Sequence, residues 1–236
     1  MKKYSSRFLA LLFLVQPLCS QQPITLDDCF SYFKFYPQTA GTFHFTPDGS
    51  HYLEEHDGAI VEFDLATGLK ERTLAQASDL RKVGAWDEFV FSPDRSKILL
   101  RTNTEPVYRH SVLADYWVYT LDKKQATRLH EGGLVQFALF SADGNKLAFV
   151  FENNLFYKDL NSGAISQVTT DGKKNEIING IPDWVYEEEF SPADGDGMVA
   201  TAWSPDGKKL AFIRFDERAV PQFPISWYTG AVYPGH

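Results

Sequence analysis

The sequence predicts an all-β fold, a β-propeller of four-stranded blades, and two observations point to it. One pattern recurs four times, as FTPDGSHYLEE at 45–55, FSPDRSKILLR at 91–101, FSADGNKLAFV at 140–150 and WSPDGKKLAFI at 203–213. The first three copies lie 46 and 49 residues apart, counted from Pro47 to Pro93 to Ala142, and a propeller blade takes about 40–50 residues. The 236 residues therefore hold about four blades.

Each copy reads as an aromatic, a turn and a strand. Pro47, Pro93 and Pro205 preset the φ of the turn, and Gly49, Gly144 and Gly207 suit the left-handed position that closes a hairpin with a bulge; Arg95 takes that place in the second copy. Ile98 to Leu100, Leu147 to Val150 and Leu210 to Ile213 are apolar on consecutive residues, as expected of strands buried on both faces between neighbouring sheets. A further strand is expected at Ile60 to Leu65, Trp117 to Asp122 and Leu155 to Leu160. In the third unit the polar turn Asn161-Ser162-Gly163 leads to a fourth strand at Ala164 to Thr169.

The third interval, from Ala142 to Pro205, is 63 residues long, so something is inserted between 170 and 200. Extra length in a regular repeat is where loops carry function, because the scaffold positions them without needing them for its core.

The overall composition fits a folded domain. Hydrophobic residues make up 44% and charged residues 23%, which excludes the disordered, collagen-like and coiled-coil classes. A net charge of −8 gives no broad attraction to phosphate backbones or anionic lipid, so nucleic acid is not an expected partner.

Residues 1–20 read as a secretory signal: Lys2, Lys3 and Arg7 form a basic start, Phe8 to Leu18 an apolar stretch, and Ser20 a small residue at the cleavage end. The apolar stretch is too short to span a bilayer, which needs about 20 residues. The expected location is the periplasm or the exterior. Cys19 falls within the signal and Leu18 makes a poor lipoprotein site, which leaves Cys29 as the one cysteine of residues 21–236 and no internal disulfide there.

The insertion contains Asn179-Gly180-Ile181-Pro182-Asp183-Trp184-Val185-Tyr186 followed by Glu187, Glu188, Glu189 and Phe190. On a strand, adjacent side chains point to opposite faces, whereas a helical turn spreads them by about 100°. Pro182 and Asp183 fit the start of a short helix. A solvated acidic loop is one reading of the run. Two carboxylates converging on a helix repel unless a cation joins them, which makes Glu188 and Glu189 a candidate cation site. A peptide α-ammonium, with three N–H donors, is one fitting cation and a divalent metal the other. Metal sites usually add a histidine or a third carboxylate, and no histidine lies between His130 and His236, so ammonium is favoured and no metal or other cofactor is expected.

This run, together with Arg109-His110-Ser111, the propeller repeats and the segment from Trp203-Ser204-Pro205-Asp206-Gly207 through Phe215 and Val220-Pro221, resembles the dipeptidyl peptidase IV family of serine peptidases. The resemblance implies an eight-bladed N-terminal propeller, of which this chain is about half, capping an α/β-hydrolase domain. It implies removal of N-terminal Xaa-Pro and Xaa-Ala dipeptides from peptides with a free N-terminus, and a homodimer at full length. It also implies that Glu188 and Glu189 bind the substrate's α-ammonium and that Arg109 contacts its backbone carbonyl; an arginine beside Tyr108 can otherwise serve as a surface stacking pair. Trp184 and Tyr186 are expected to pack the insertion.

No Gly-x-Ser-x-Gly nucleophile motif occurs in the chain, so no catalytic residue is assigned. Residues 21–236 are thus expected to be the N-terminal part of a propeller domain, with the hydrolase domain outside them and no activity alone. The alternative is a non-catalytic periplasmic binding propeller built from the same repeats. His51-x-x-Glu54-Glu55-His56 misses the zinc spacings and falls on a strand, and Asp194-Gly195-Asp196-Gly197 and Asp171-Gly172-Lys173-Lys174 read as turns.

Overall fold

The computed structural model describes residues 23–31, 34–35, 43–190 and 200–224. The signal at 1–20 with Cys19, and the turn at Asp194 to Gly197, lie outside the described residues. Contacts divide the chain into residues 1–42 and 43–236. The first unit contains helix α1 (Leu26–Phe30), begun by a capping box between Thr25 and Asp28, with Cys29 a free, exposed thiol.

The second unit carries the blades. β1 (His44–Phe45), β2 (His51–His56), β3 (Ala59–Asp64) and β4 (Lys70–Ala75) form an antiparallel four-stranded sheet in sequence order. β5 (Glu88–Phe91), β6 (Lys97–Pro106), β7 (Val112–Thr120) and β8 (Gln125–Arg128) form the second blade, and β9 (Val135–Phe140), β10 (Lys146–Phe151), β11 (Asn154–Asp159) and β12 (Ile165–Gln167) the third. β7 is long enough to pair with β8 through Trp117 to Thr120 and with β9 through Leu113 and Ala114, which joins the second and third blades into one hydrogen-bonded sheet. The insertion supplies β13 (Ile177–Asn179) and helix α2 (Trp184–Phe190); β14 (Thr201–Trp203), β15 (Leu210–Phe212) and β16 (Arg214–Asp216) follow.

The repeated turn has one chemistry. In each copy a hydroxyl, from Thr46, Ser92, Ser141 or Ser204, donates to the aspartate two residues on, at 2.5–2.6 Å, and accepts the backbone N–H five residues on, at 2.9–3.1 Å. The same aspartate accepts the N–H two residues beyond itself, at 3.1 Å. Gly49, Gly144 and Gly207 have φ of 65–68°, and Arg95 adopts 55° with its guanidinium over the Phe91 ring at 4.5 Å.

Blades pack face to face through apolar side chains. Leu53 and Ile60 meet Phe89, Ile98, Leu100 and Tyr119 between the first and second blades. Leu99 points the other way and meets Leu147 and Phe149 between the second and third. β6 and β10 are thus covered on both faces, as their consecutive apolar residues predict. β15 is not: Ala211 and Phe212 are exposed, because among the described residues its sheet has only β14 as a partner. The turn expected at Asp171 to Lys174 sits later, at Lys174 to Glu176, inside a bridge from Lys173 to Ile177. Gly172 instead permits a close approach, since a Cβ there would lie 2.2 Å from the Asn153 carbonyl oxygen.

Candidate functional site

Two structures converge on the glutamate run. One is the β6–β7 hairpin, which runs on past a register shift between Thr102 and Glu105 to its last pairs, Glu105 with Leu113 and Pro106 with Val112. Asn103 turns the strand there at φ 50°, and its amide donates to Asp115 Oδ2 at 2.8 Å. Residues 107–111 close the tip, where the N–H of Val107 donates to the Ser111 carbonyl at 2.9 Å and Arg109 sits at the apex.

The other structure is the insertion. Its root is Asn179-Gly180. Asn179 is buried, its backbone N–H and side-chain amide both donate to the Asn153 carbonyl, and the amide also donates to Asp171, whose carboxylate pairs with Arg214. Gly180 adopts φ 82°, with its N–H on Ile213 O and its own carbonyl accepting from Thr201 Oγ1 at 2.7 Å. Ile181 then packs against Val150 and Leu155. Asp183 caps α2, accepting the Tyr186 N–H at 2.7 Å, so the helix begins where Pro182 and Asp183 predict. Tyr186 packs on Phe190 and on Phe215 of β16 at 5.5 Å, as expected, whereas Trp184 is exposed.

α2 presents its three carboxylates at successive angles of about 100°. Glu187 is buried at 1% exposure, and its Oε1 accepts the backbone N–H groups of His110 at 2.8 Å and Ser111 at 3.0 Å. Glu188 Oε2 lies 3.0 Å from Arg109 Nη1; the Glu188 side chain is 9% exposed and that of Arg109 72%. Glu189 is exposed and has no ion-pair partner among the described residues. The structure thus brings Arg109 to Glu188 and leaves Glu189 exposed at the next helix position, and the residue that sequence reasoning left without a role is Glu187.

The surroundings are acidic. Burial, and then the charges of Glu217, Glu187 and Asp183, push the Tyr108 phenol above its ordinary value. Burial and then Asp183 raise Glu217. A cavity of about 530 Å³ opens beneath, between β6, β7, β9 and the insertion, lined among others by Arg101, His110, Ser111, Tyr116, Phe137 and Glu187. Burial pushes the Tyr116 phenol up to about 12, partly offset by Arg101. Glu188, which pairs with Arg109, and Glu189, exposed one position further along α2, are the two carboxylates here that a cation could meet.

Among the described residues one group of side chains has metal-like spacing, His51, Asp64 and Glu71, whose ligand atoms lie within 4.8 Å of one another. Its atoms already have protein partners: His51 Nε2 faces Glu71 at 2.9 Å, and Asp64 accepts the N–H and hydroxyl of Thr67. Of the sequence pattern His51-x-x-Glu54-Glu55-His56, this group includes only His51.

Residues 92–236 match the family model described as the dipeptidyl peptidase IV N-terminal region. The chain belongs to the dipeptidyl peptidase IV family. It is similar to prolyl endopeptidase FAP of Homo sapiens, 34% identical over 211 residues, 89% of this chain and 26% of that protein. It is also similar to dipeptidyl peptidase 4 of Trichophyton tonsurans, 37% identical over 183 residues, 77% of this chain and 22% of that protein. The crystal structure of Porphyromonas gingivalis dipeptidyl peptidase 4 superposes with a TM-score of 0.79 at 36% identity, over 91% of this chain and 30% of that one. The chain thus spans about a quarter of the length of these two relatives. It corresponds to the N-terminal propeller region of that family, and Arg109, Glu187, Glu188 and Glu189 all lie inside the stretch that the family model matches.

Proposed function

We propose that this chain is the substrate-recognition part of an exported serine exopeptidase that releases Xaa-Pro and Xaa-Ala dipeptides from peptides with a free N-terminus. The observation that carries this reading is the Arg109–Glu188 pair with Glu189 exposed beside it, on a helix fixed at its root by Asn179 and Gly180. An α-ammonium has a pKa of about 7.7–8.0 and is largely charged at neutral pH. Its three N–H donors match the carboxylate oxygens of Glu188 and Glu189, and the Arg109 side chain, largely in solvent, has N–H groups free to meet a peptide carbonyl. A carboxylate pair at a fixed distance from a nucleophile acts as a ruler, setting which peptide bond reaches the reacting serine. The serine, aspartate and histidine belong to a hydrolase domain outside this chain, so the chain supplies orientation and hydrolyses nothing alone.

The test is dipeptide release from a Gly-Pro anilide by the whole peptidase and by residues 21–236 alone. Release by the whole protein only is expected. Binding of the free-amine peptide without release by the whole protein would favour a binding propeller, and efficient cleavage by residues 21–236 alone would overturn the division of labour.

A further inference from the structure

We propose that Glu187 is a positioning residue: it grips the backbone of the 109–111 tip so that Arg109 is presented to Glu188 and to substrate. The proposal rests on the function proposed above for Arg109 and Glu188. Three features argue for it. First, a buried carboxylate is costly unless it accepts strong hydrogen bonds, and a helix residue that merely packed would be better served by leucine or methionine. Second, both bonds that Glu187 Oε1 accepts come from consecutive amides, His110 and Ser111, which lie 77 and 76 residues away in sequence and directly follow Arg109. Charge-assisted bonds of this kind are about twice as strong as neutral ones. Third, the Arg109 side chain is 72% exposed and its one ion-pair partner among the described residues is Glu188.

Two successive carboxylates of α2 therefore take hold of two successive parts of one turn. Glu187 holds the backbone and Glu188 meets the guanidinium. The first contact is made by a buried carboxylate, and the second by a guanidinium mostly in water that can turn to a ligand. Without the first, the tip is held by its own hairpin bonds, and the Arg109 side chain gains freedom that substrate must remove on binding.

In the whole peptidase, Glu187→Ala is expected to raise KM for a free-amine Xaa-Pro substrate about tenfold or more, the effect of losing hydrogen bonds to a charged group. Glu187→Gln keeps an acceptor oxygen for both amides and is expected to recover most of that loss. Glu187→Ala combined with Arg109→Ala is expected to be no worse than Arg109→Ala alone, because both changes remove one function. Additive losses, or an unchanged KM in Glu187→Ala, would overturn the proposal. Amide hydrogen exchange of residues 107–111 needs no catalysis and so separates this proposal from the functional reading beneath it. Faster exchange confined to that tip in Glu187→Ala supports the grip, even where no activity is found, and unchanged exchange refutes it. If Glu187→Ala does not fold, Glu187→Gln and Glu187→Asp carry the same measurements, with Asp expected to exchange faster than Gln because its shorter reach cannot span to both amides.

Discussion

Arg109 Nη1 lies 3.0 Å from Glu188 Oε2, and this ion pair joins the tip of the second blade's hairpin to a helix inserted after the third blade. Its partners differ in burial: the carboxylate is nearly covered and the guanidinium is mostly in water. A pair of that kind stabilises a fold by little, about 0–1 kcal/mol, because solvent screens it.

Arg109→Ala is therefore expected to leave thermal unfolding nearly unchanged while raising KM for free-amine peptides about tenfold or more in the whole peptidase. A large loss of stability with an unchanged KM would make Arg109 a structural residue.

Gly180→Ala tests the root of the insertion. The backbone there is left-handed at φ 82°, and a Cβ would lie 2.9 Å from Thr201 Oγ1 and 3.2 Å from both Leu155 Cδ1 and Val150 Cγ2. Strain and overpacking together predict a loss of about 2 kcal/mol or more, read by thermal or urea unfolding. Retention of wild-type stability would show that the insertion is not anchored at this residue.

Arg95→Gly tests the odd member of the repeat. Relief of the left-handed φ of 55° is worth about 1 kcal/mol, against which stand the cation–π contact on Phe91 and the 3.7 Å pair with Glu62. Glu62 keeps its other partner, Arg72. Net stability is expected to change by less than about 1 kcal/mol, whereas Gly144→Arg, which forces a side chain into the same conformation against Asp94, is expected to lose more.

Acid should loosen the blade turns. Burial pushes Asp94 up, but hydrogen bonds from the Ser92 hydroxyl and from the Ser96 hydroxyl and amide, with the Lys97 charge, outweigh it and bring it down to about 2. Asp48 and Asp143 are lowered chiefly by the Thr46 and Ser141 hydroxyls, and Asp206 by Ser204. A carboxylate lowered in the fold contributes stability fully above its unfolded value of about 3.9 and loses it as pH falls through the folded value. Stability is thus expected to decline most steeply between about pH 4 and pH 2. Asp94→Asn, which keeps an acceptor but not a charge, should flatten that decline, and unfolding midpoints measured across this range check it.

Much of this was legible in the sequence because it is periodic or local. The recurring Pro-Asp turns marked the blades, the glycines at 49, 144 and 207 marked the left-handed closures, and Pro182 with Asp183 marked the start of α2. Burial of β6 and β10 on both faces followed from their unbroken apolar runs, but the same run in β15 misled, because burial needs a neighbouring sheet and the sequence of one strand does not say whether one is there. The shared role of Thr46, Ser92, Ser141 and Ser204 could have been read from their constant offset to aspartate. Glu187 could not. Its partners are backbone amides 76 and 77 residues away, and backbone amides carry no sequence signal. Asn179 and Gly180 were visible as part of a motif, but their hold on Asn153 and Thr201 depends on packing across separate strands.

The most direct test of the central claim is the ratio of kcat/KM for a free-amine Xaa-Pro peptide to that for its N-acetylated form, measured on the whole peptidase and on its Glu188→Gln/Glu189→Gln variant. Charge-assisted bonds to an ammonium, worth about 1.5–3 kcal/mol each, predict a large ratio that falls by about tenfold or more in the variant. An unchanged ratio would contradict the assignment of Glu188 and Glu189 as the site that holds the peptide's amino terminus.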